Sequence, residues 1–252
     1  MQVKRHMERY PIHKHTSGEC GHPANAYDEH TGLLHRLKVF LRPRSRVKAF
    51  IGVARKTQLG RTIVVNLYWD LRYGADCARI KKTHYTHLGA ANTQSTDFLQ
   101  LTTLFKKNEI RIDPTDVLVD VGCGKGRVIN FWLSLGCRNK IVGLELDDEV
   151  ANETRRRLKN HANVTIIGGN AISNLPPDGT LFYLYNPFHA PLVHQFKERL
   201  WDMRGGMSGT RIVYYNSLHA SLFKTDPRWL VEDLYTGQPD PAVLIRFRET
   251  RE

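Results

Sequence analysis

The chain has 252 residues, 41% hydrophobic and 25% charged, which suits one α/β domain or a domain with a small appendage and allows a sizeable core. Ten Phe, ten Tyr and four Trp exclude disorder throughout, and no repeat or homopolymer tract interrupts the sequence. The formal charge of +12 is uneven: residues 1–110 hold 19 Lys and Arg against 8 Asp and Glu, and residues 111–252 hold 18 against 17.

Residues 1–30 are rich in His, Pro, Gly and charge without helical or strand periodicity, so they read as a mobile arm. His13, His15, Cys20 and His22 match no zinc-site spacing, and no metal is expected. The four Cys, at 20, 77, 123 and 137, form no CxxC pair, which fits a reducing compartment. Met1 to His15 lacks an apolar leader core, and no run of 18 apolar residues occurs, so a soluble, cytoplasmic chain without a transmembrane segment is expected.

Residues 31–92 read as a basic extension and lid. Leu33, Leu34, Leu37, Phe40 and Leu41 form the stripe of an amphipathic helix that Pro43 ends. Such a stripe either packs on the domain, the commoner outcome, or lies on an anionic membrane surface. From Arg36 to Arg61 there are nine basic residues and no acidic one, so any partner there is anionic; otherwise the face is merely solvated. Thr62 to Trp69 (TIVVNLYW) is β-branched and aromatic, which predicts a strand or extended segment closed by Gly74.

Residues 93–252 form the main domain. Phe98 to Glu109 reads as a helix that Asp97 can cap. After Pro114 the pattern alternates. Strands are expected at Val117–Val121, Ile141–Leu144, Val164–Ile167, Leu181–Tyr185 and Arg211–Tyr215. Helices are expected at Val128–Leu135, Glu149–Asn160 and Leu192–Trp201, which implies a mostly parallel sheet covered on both faces. Trp229–Leu234 and Ala242–Phe247, separated by Gly237, Pro239 and Pro241, read as a terminal strand pair.

The most specific feature is the strand-to-helix passage Val117 to Arg127, with Gly122, Gly124 and Gly126 in its turn. Glycines let a backbone approach a ligand closely, and the free amides at a helix start favour a carboxylate or phosphate. The GxGxG spacing differs from the GxGxxG of nicotinamide and flavin binders, and no GKS or GKT follows, which argues against a dehydrogenase or a kinase. The second strand ends in Glu145, whose carboxylate can accept from both hydroxyls of a ribose; the plainer reading is a solvated strand end.

With DVGCGKG (Asp120 to Gly126), GLELD (Gly143 to Asp147), GGNA (Gly168 to Ala171) and LYNPF (Leu184 to Phe188) in this order, the chain from Thr93 to Phe247 resembles the class I S-adenosylmethionine-dependent methyltransferases. It is similar in particular to a bacterial set with GCGKGR and YLYNPF motifs and undefined substrates. The resemblance implies a Rossmann-like, seven-stranded, mostly parallel sheet ending in an antiparallel strand pair, with S-adenosylmethionine as cofactor. It implies that Asp120 and the Gly122 backbone hold the methionine part, within the turn that Gly124 and Gly126 complete. Glu145 would hold the ribose, and Asn170 would meet the adenine amino group beside the Ala171 backbone. A lid formed by Trp69–Gly74 and Gly89–Thr96 would bring Gln94, Ser95 and Thr96 to the methionine carboxylate.

Asn186-Pro187-Phe188 is similar to the family's (Asp/Asn)-Pro-Pro-(Tyr/Phe) motif with one proline fewer, which implies a substrate amino group held by carbonyls beneath an aromatic ring. An ordinary turn is the other reading. Tyr185, Asn186 and His189 are the nearest proton acceptors in sequence, with His84, His87 and His219 available if their segments fold over the site. The expected function is methyl transfer to an unidentified acceptor, with nitrogen favoured over oxygen. The acceptor, or the macromolecule that presents it, is expected to be anionic: RNA, glycan, acidic protein or a membrane surface, with nucleic acid not favoured. The alternative is a non-catalytic module on the same fold that docks an anionic partner or membrane through residues 33–61.

Overall fold

The computed structural model describes residues 57–74, 95–205 and 207–248. The expected arm and the basic helix expected from Leu33, together with Gln94, His84 and His87, lie outside the described residues. Helix α1 (Gln58–Arg72) and helix α2 (Phe98–Lys107) precede a sheet whose elements follow in order. These are β1 (Leu118–Val121), α3 (Arg127–Ser134), β2 (Ile141–Glu145), α4 (Asp148–Leu158), β3 (Val164–Gly168) and β4 (Leu181–Tyr185). There follow α5 (Ala190–Arg204), β5 (Arg211–Tyr215), α6 (Ser221–Lys224), β6 (Trp229–Leu234) and β7 (Ala242–Phe247).

The strand order is β3-β2-β1-β4-β5-β7-β6. Only β7 runs against its neighbours, β5 and β6, so the other six strands share one direction. The expected Rossmann-like sheet and its terminal antiparallel pair are therefore present. The order reverses between β1 and β4, opening a crevice at the carboxyl ends of the strands, where ligands bind in such sheets.

Both faces of the sheet are buried, which explains the near-continuous apolar strands. Leu118, Leu181, Tyr183, Val213 and Tyr215 face one core with α2 and α3. Val119, Val121, Phe182, Leu184, Ile212 and Tyr214 face the other with α5. This period of two carries Asp120, opposite Tyr183 in register, onto the α2 and α3 side.

One expectation is corrected. Thr62–Trp69 is helical, inside α1, despite its β-branched residues. Thr57 Oγ1 accepts from Gly60 N at 3.0 Å and caps the helix. Helical spacing brings Val65 and Trp69 into the core. Trp69 stacks on Phe98 at 5.4 Å. Asn66 donates to Asp97 and accepts from Phe98 N at 3.0 Å. Tertiary burial outweighs a propensity difference of about 1 kcal/mol or less per residue. Cys123 is a free, buried thiol, whereas Cys137 is disulfide-bonded, unlike the free thiols a reducing compartment favours. No helix among the described residues is long and apolar enough to cross a membrane.

Candidate active site

At the carboxyl end of β1 the chain passes through Gly122, Gly124 and Gly126, with φ of 76°, 51° and 71°. At Gly122 the positive φ coincides with a close approach: a Cβ there would lie 3.0 Å from Pro187 Cβ, so the 186–188 segment rests directly on the turn. The turn is held from behind. Thr154 Oγ1 donates to Gly124 O at 3.0 Å, and Arg157 donates to Lys125 O at 2.6 Å and Tyr73 O at 3.0 Å.

Two carboxylates flank this turn. Glu145, at the end of β2, accepts from Gly124 N at 2.8 Å and Asp147 N at 2.9 Å. The Leu146 backbone also bonds to this carboxylate. Burial raises its pKa, opposed by those backbone bonds. Asp120 is 3% exposed, and its Oδ2 has no hydrogen-bond partner among the described residues. Burial, and then the neighbouring Glu145, push its carboxyl up to about 8.

Asp120, Gly122 and Gly124 line one small cleft with Ser95, Thr96, Cys123, Arg127, Tyr183 and Tyr185. Thr96 Oγ1 and Tyr183 Oη share a buried hydrogen bond of 2.8 Å across its wall. Burial holds the Tyr183 hydroxyl well above its usual range, and Tyr185 is pushed up to about 12 by burial and then by Asp240 and Asp97. Both therefore stay protonated, as hydrogen-bonding groups and not as bases.

Gly126, Glu145 and the remaining site residues do not themselves line that cleft. Asn186 has φ of 39°, and its Oδ1 accepts from Tyr214 Oη at 3.0 Å. Phe188 is partly buried toward α5, with its ring 6.2 Å from Phe196. His189 is exposed at the start of α5 and makes no side-chain cap. Asn170 Oδ1 accepts from Ile172 N at 2.9 Å and Ser173 N at 3.3 Å, closing a turn, while Ala171 is buried beside it.

The residue the sequence reading passed over is Arg127, the last of GCGKGR. Its Nη2 meets Asp70 of α1 at 2.8 Å, and Nη1 lies 3.6 Å from Asp97. Asp70 follows Trp69 in the proposed lid, but no spacing in the sequence links it to a residue 57 positions away.

No family model matches the chain, and no curated protein matches it. Among solved structures it is similar to the SAH-bound methyltransferase PaMTH1 of Podospora anserina, at 16% identity and TM-score 0.48, over 62% of this chain and 80% of that one. It is similar to an RNA methyltransferase from Salinibacter ruber in complex with S-adenosyl-L-homocysteine, at 20% identity and TM-score 0.47, over 63% and 95%. It is also similar to a methyltransferase from Pyrococcus furiosus, at 16% identity and TM-score 0.47, over 62% and 84%.

Proposed function

We propose that the chain is a methyltransferase that takes S-adenosylmethionine into the cleft at the ends of β1 and β2 and methylates an acceptor held beside Tyr185 and Asn186. The observation that carries this reading is Asp120, a buried carboxyl group with one unpartnered oxygen beside three left-handed glycines. A buried polar atom without a partner is costly, and an ammonium group arriving with a ligand satisfies it with opposite charge. A module that no longer bound a cofactor would have no use for that cost.

Asp120 and the Gly122 backbone would hold the methionine part, with Ser95 and Thr96 beside its carboxylate. Glu145, already accepting from backbone amides, would take a ribose hydroxyl on its remaining acceptor capacity. Asn170, its oxygen already accepting from Ile172 N and Ser173 N, would meet the adenine by donating its amide N–H to a ring nitrogen and not by accepting from the amino group. The cofactor, when bound, supplies a methyl group activated by a sulfonium.

The protein's part is alignment, exclusion of water and proton uptake. With Tyr183 and Tyr185 held protonated, the cleft offers no phenolate to activate a hydroxyl. This favours nitrogen as the target atom, because a neutral amine is nucleophilic without being converted to an anion. Asn186, its carbonyl in place at the end of β4, would orient that nitrogen. The nine basic residues from Arg36 to Arg61 would dock an anionic partner outside the cleft, with an affinity that falls steeply with salt.

Calorimetric titration with S-adenosylmethionine and S-adenosylhomocysteine tests the reading. Saturable 1:1 binding of both is expected; no binding at millimolar concentration ends it.

A further inference from the structure

Beside the cofactor cleft lies a second groove, about 440 Å³, between the start of α1, the first turns of α2 and the β6–β7 turn. Its volume suits a small-molecule site. Thr62, Gln100, Thr103 and Gln238 line it with hydroxyl and amide groups, and among the described residues its one charged group is Asp97. No lysine or arginine faces it among those residues.

The topology ties this groove to the strand ends. Because β7 is reversed, the β6–β7 turn returns to the edge where β4 and β5 end. Ala242 opens β7 directly opposite Tyr215, and Tyr215 lies opposite Tyr185. Asp240, two residues before Ala242, accepts a hydrogen bond from Tyr215 Oη at 3.3 Å. The Tyr185 ring stands edge-on to Tyr215 at 5.2 Å and also lines the cofactor cleft. Asp240 has no cationic partner among the described residues, whereas Asp97 has Arg127 at 3.6 Å.

We infer that the acceptor is an amine, its body in this groove and its cationic nitrogen beyond the groove's own lining, held between the Tyr185 ring and the Asp240 carboxylate. The inference rests on the cofactor reading above. Tyr215, fully buried, is a positioning residue that aims Asp240. An aromatic face and a carboxylate both attract a cation, and both repel a carboxylate or phosphate of the same size. Asp240 and Asp97 each raise the Tyr185 and Tyr215 pKa values, secondary to burial, so both anions act on the same two hydroxyls. In transfer, the ammonium first gives a proton to Asp240 and on to water. The freed lone pair then forms the C–N bond as the C–S pair returns to sulfur.

The test uses the full chain saturated with S-adenosylhomocysteine, titrated calorimetrically with phenethylamine and with 3-phenylpropionate, which are alike in size and opposite in charge. The amine is expected to bind at least about tenfold tighter than the acid. Asp240→Asn should abolish that preference, Asp240→Glu should restore part of it, and all three proteins should bind S-adenosylhomocysteine alike. If wild type fails to bind S-adenosylhomocysteine, the cofactor reading is at fault. If it binds S-adenosylhomocysteine but shows no preference for the amine, or keeps that preference in Asp240→Asn, the acceptor inference is overturned.

Discussion

Arg127 Nη2 lies 2.8 Å from Asp70 Oδ2, with side-chain exposures of 4% and 5%. This buried ion pair joins the last residue of the glycine motif to α1. Asp70 Oδ1 and Arg127 Nε have no hydrogen-bond partner among the described residues, so the pair is incompletely satisfied there. Removing Asp70 leaves the buried Arg127 with Asp97 alone, at 3.6 Å, so the cost falls below about 3–5 kcal/mol, that of a fully uncompensated buried charge. Asp70→Ala should lower the urea unfolding midpoint accordingly, and Asp70→Asn, which keeps one acceptor, should lower it less. Equal stability of Asp70→Ala and wild type would remove α1 from the packed domain.

Asp120 predicts a pH dependence with a definite sign. Its carboxyl is at about 8 in the folded chain, against 3.8 ordinarily. Between those values the folded chain holds a proton that the unfolded chain has released. The stabilisation present at low pH is therefore lost as pH rises from about 4 to about 8. The cofactor-free protein should unfold at lower urea at pH 8 than at pH 5. Asp120→Asn, which cannot ionise, should show a smaller decline and be the more stable protein at pH 8. A decline of equal slope in both would assign the effect to other groups.

The same substitution should weaken the cofactor, because a neutral amide replaces the partner of an ammonium. Opposite effects on stability and binding are the expected signature of a functional strain.

Glu145 acts on two scales. Glu145→Ala removes an acceptor from Gly124 N and Asp147 N together with the ribose contact, and should weaken S-adenosylmethionine binding by about 1–3 kcal/mol. Glu145→Gln retains one carbonyl for Gly124 and should weaken it less. Calorimetry on the two variants separates these outcomes, and unchanged affinity in Glu145→Ala would discard the ribose role.

Gly122→Ala tests the turn. Its φ of 76° and the 3.0 Å approach to Pro187 Cβ leave an L side chain both strained and crowded. The left-handed backbone costs about 1–2 kcal/mol. The variant should melt earlier and bind cofactor more weakly. Pairing it with Pro187→Gly, which removes that Cβ, should relieve the crowding but not the backbone strain, which a double-mutant cycle reads directly.

Much of this architecture is legible in the sequence because its signals are local. Strands such as Leu181–Tyr185, buried on both faces, read as short apolar runs, and Asp97 before Phe98 marks a helix start that the structure keeps, with Gln100 reaching back to the Asp97 amide. Helix α1 was misread because what makes Thr62–Trp69 helical is distant: Asp97, Phe98 and Arg127, which pair with Asn66, Trp69 and Asp70. The glycine turn and Glu145 follow from motif spacing. Asp240 could not, since Pro239-Asp240-Pro241 reads only as a turn, and strand register alone carries it to Tyr215. Helix α6 has four residues, too few to leave a periodic pattern.

The reversal of β7 divides the molecule's edge into parts that can change at different rates. The turns after β1 and β2 are constrained by left-handed glycines and buried carboxylates, where most substitutions are costly. The connection from Tyr235 to Pro241 is a surface hairpin turn, mostly exposed or half-buried, and it carries no part of the cofactor cleft. On the proposed function, changes in its length or charge would redirect which acceptor is admitted while leaving the cleft at the ends of β1 and β2 intact. One scaffold could thus diversify its substrates by altering one turn.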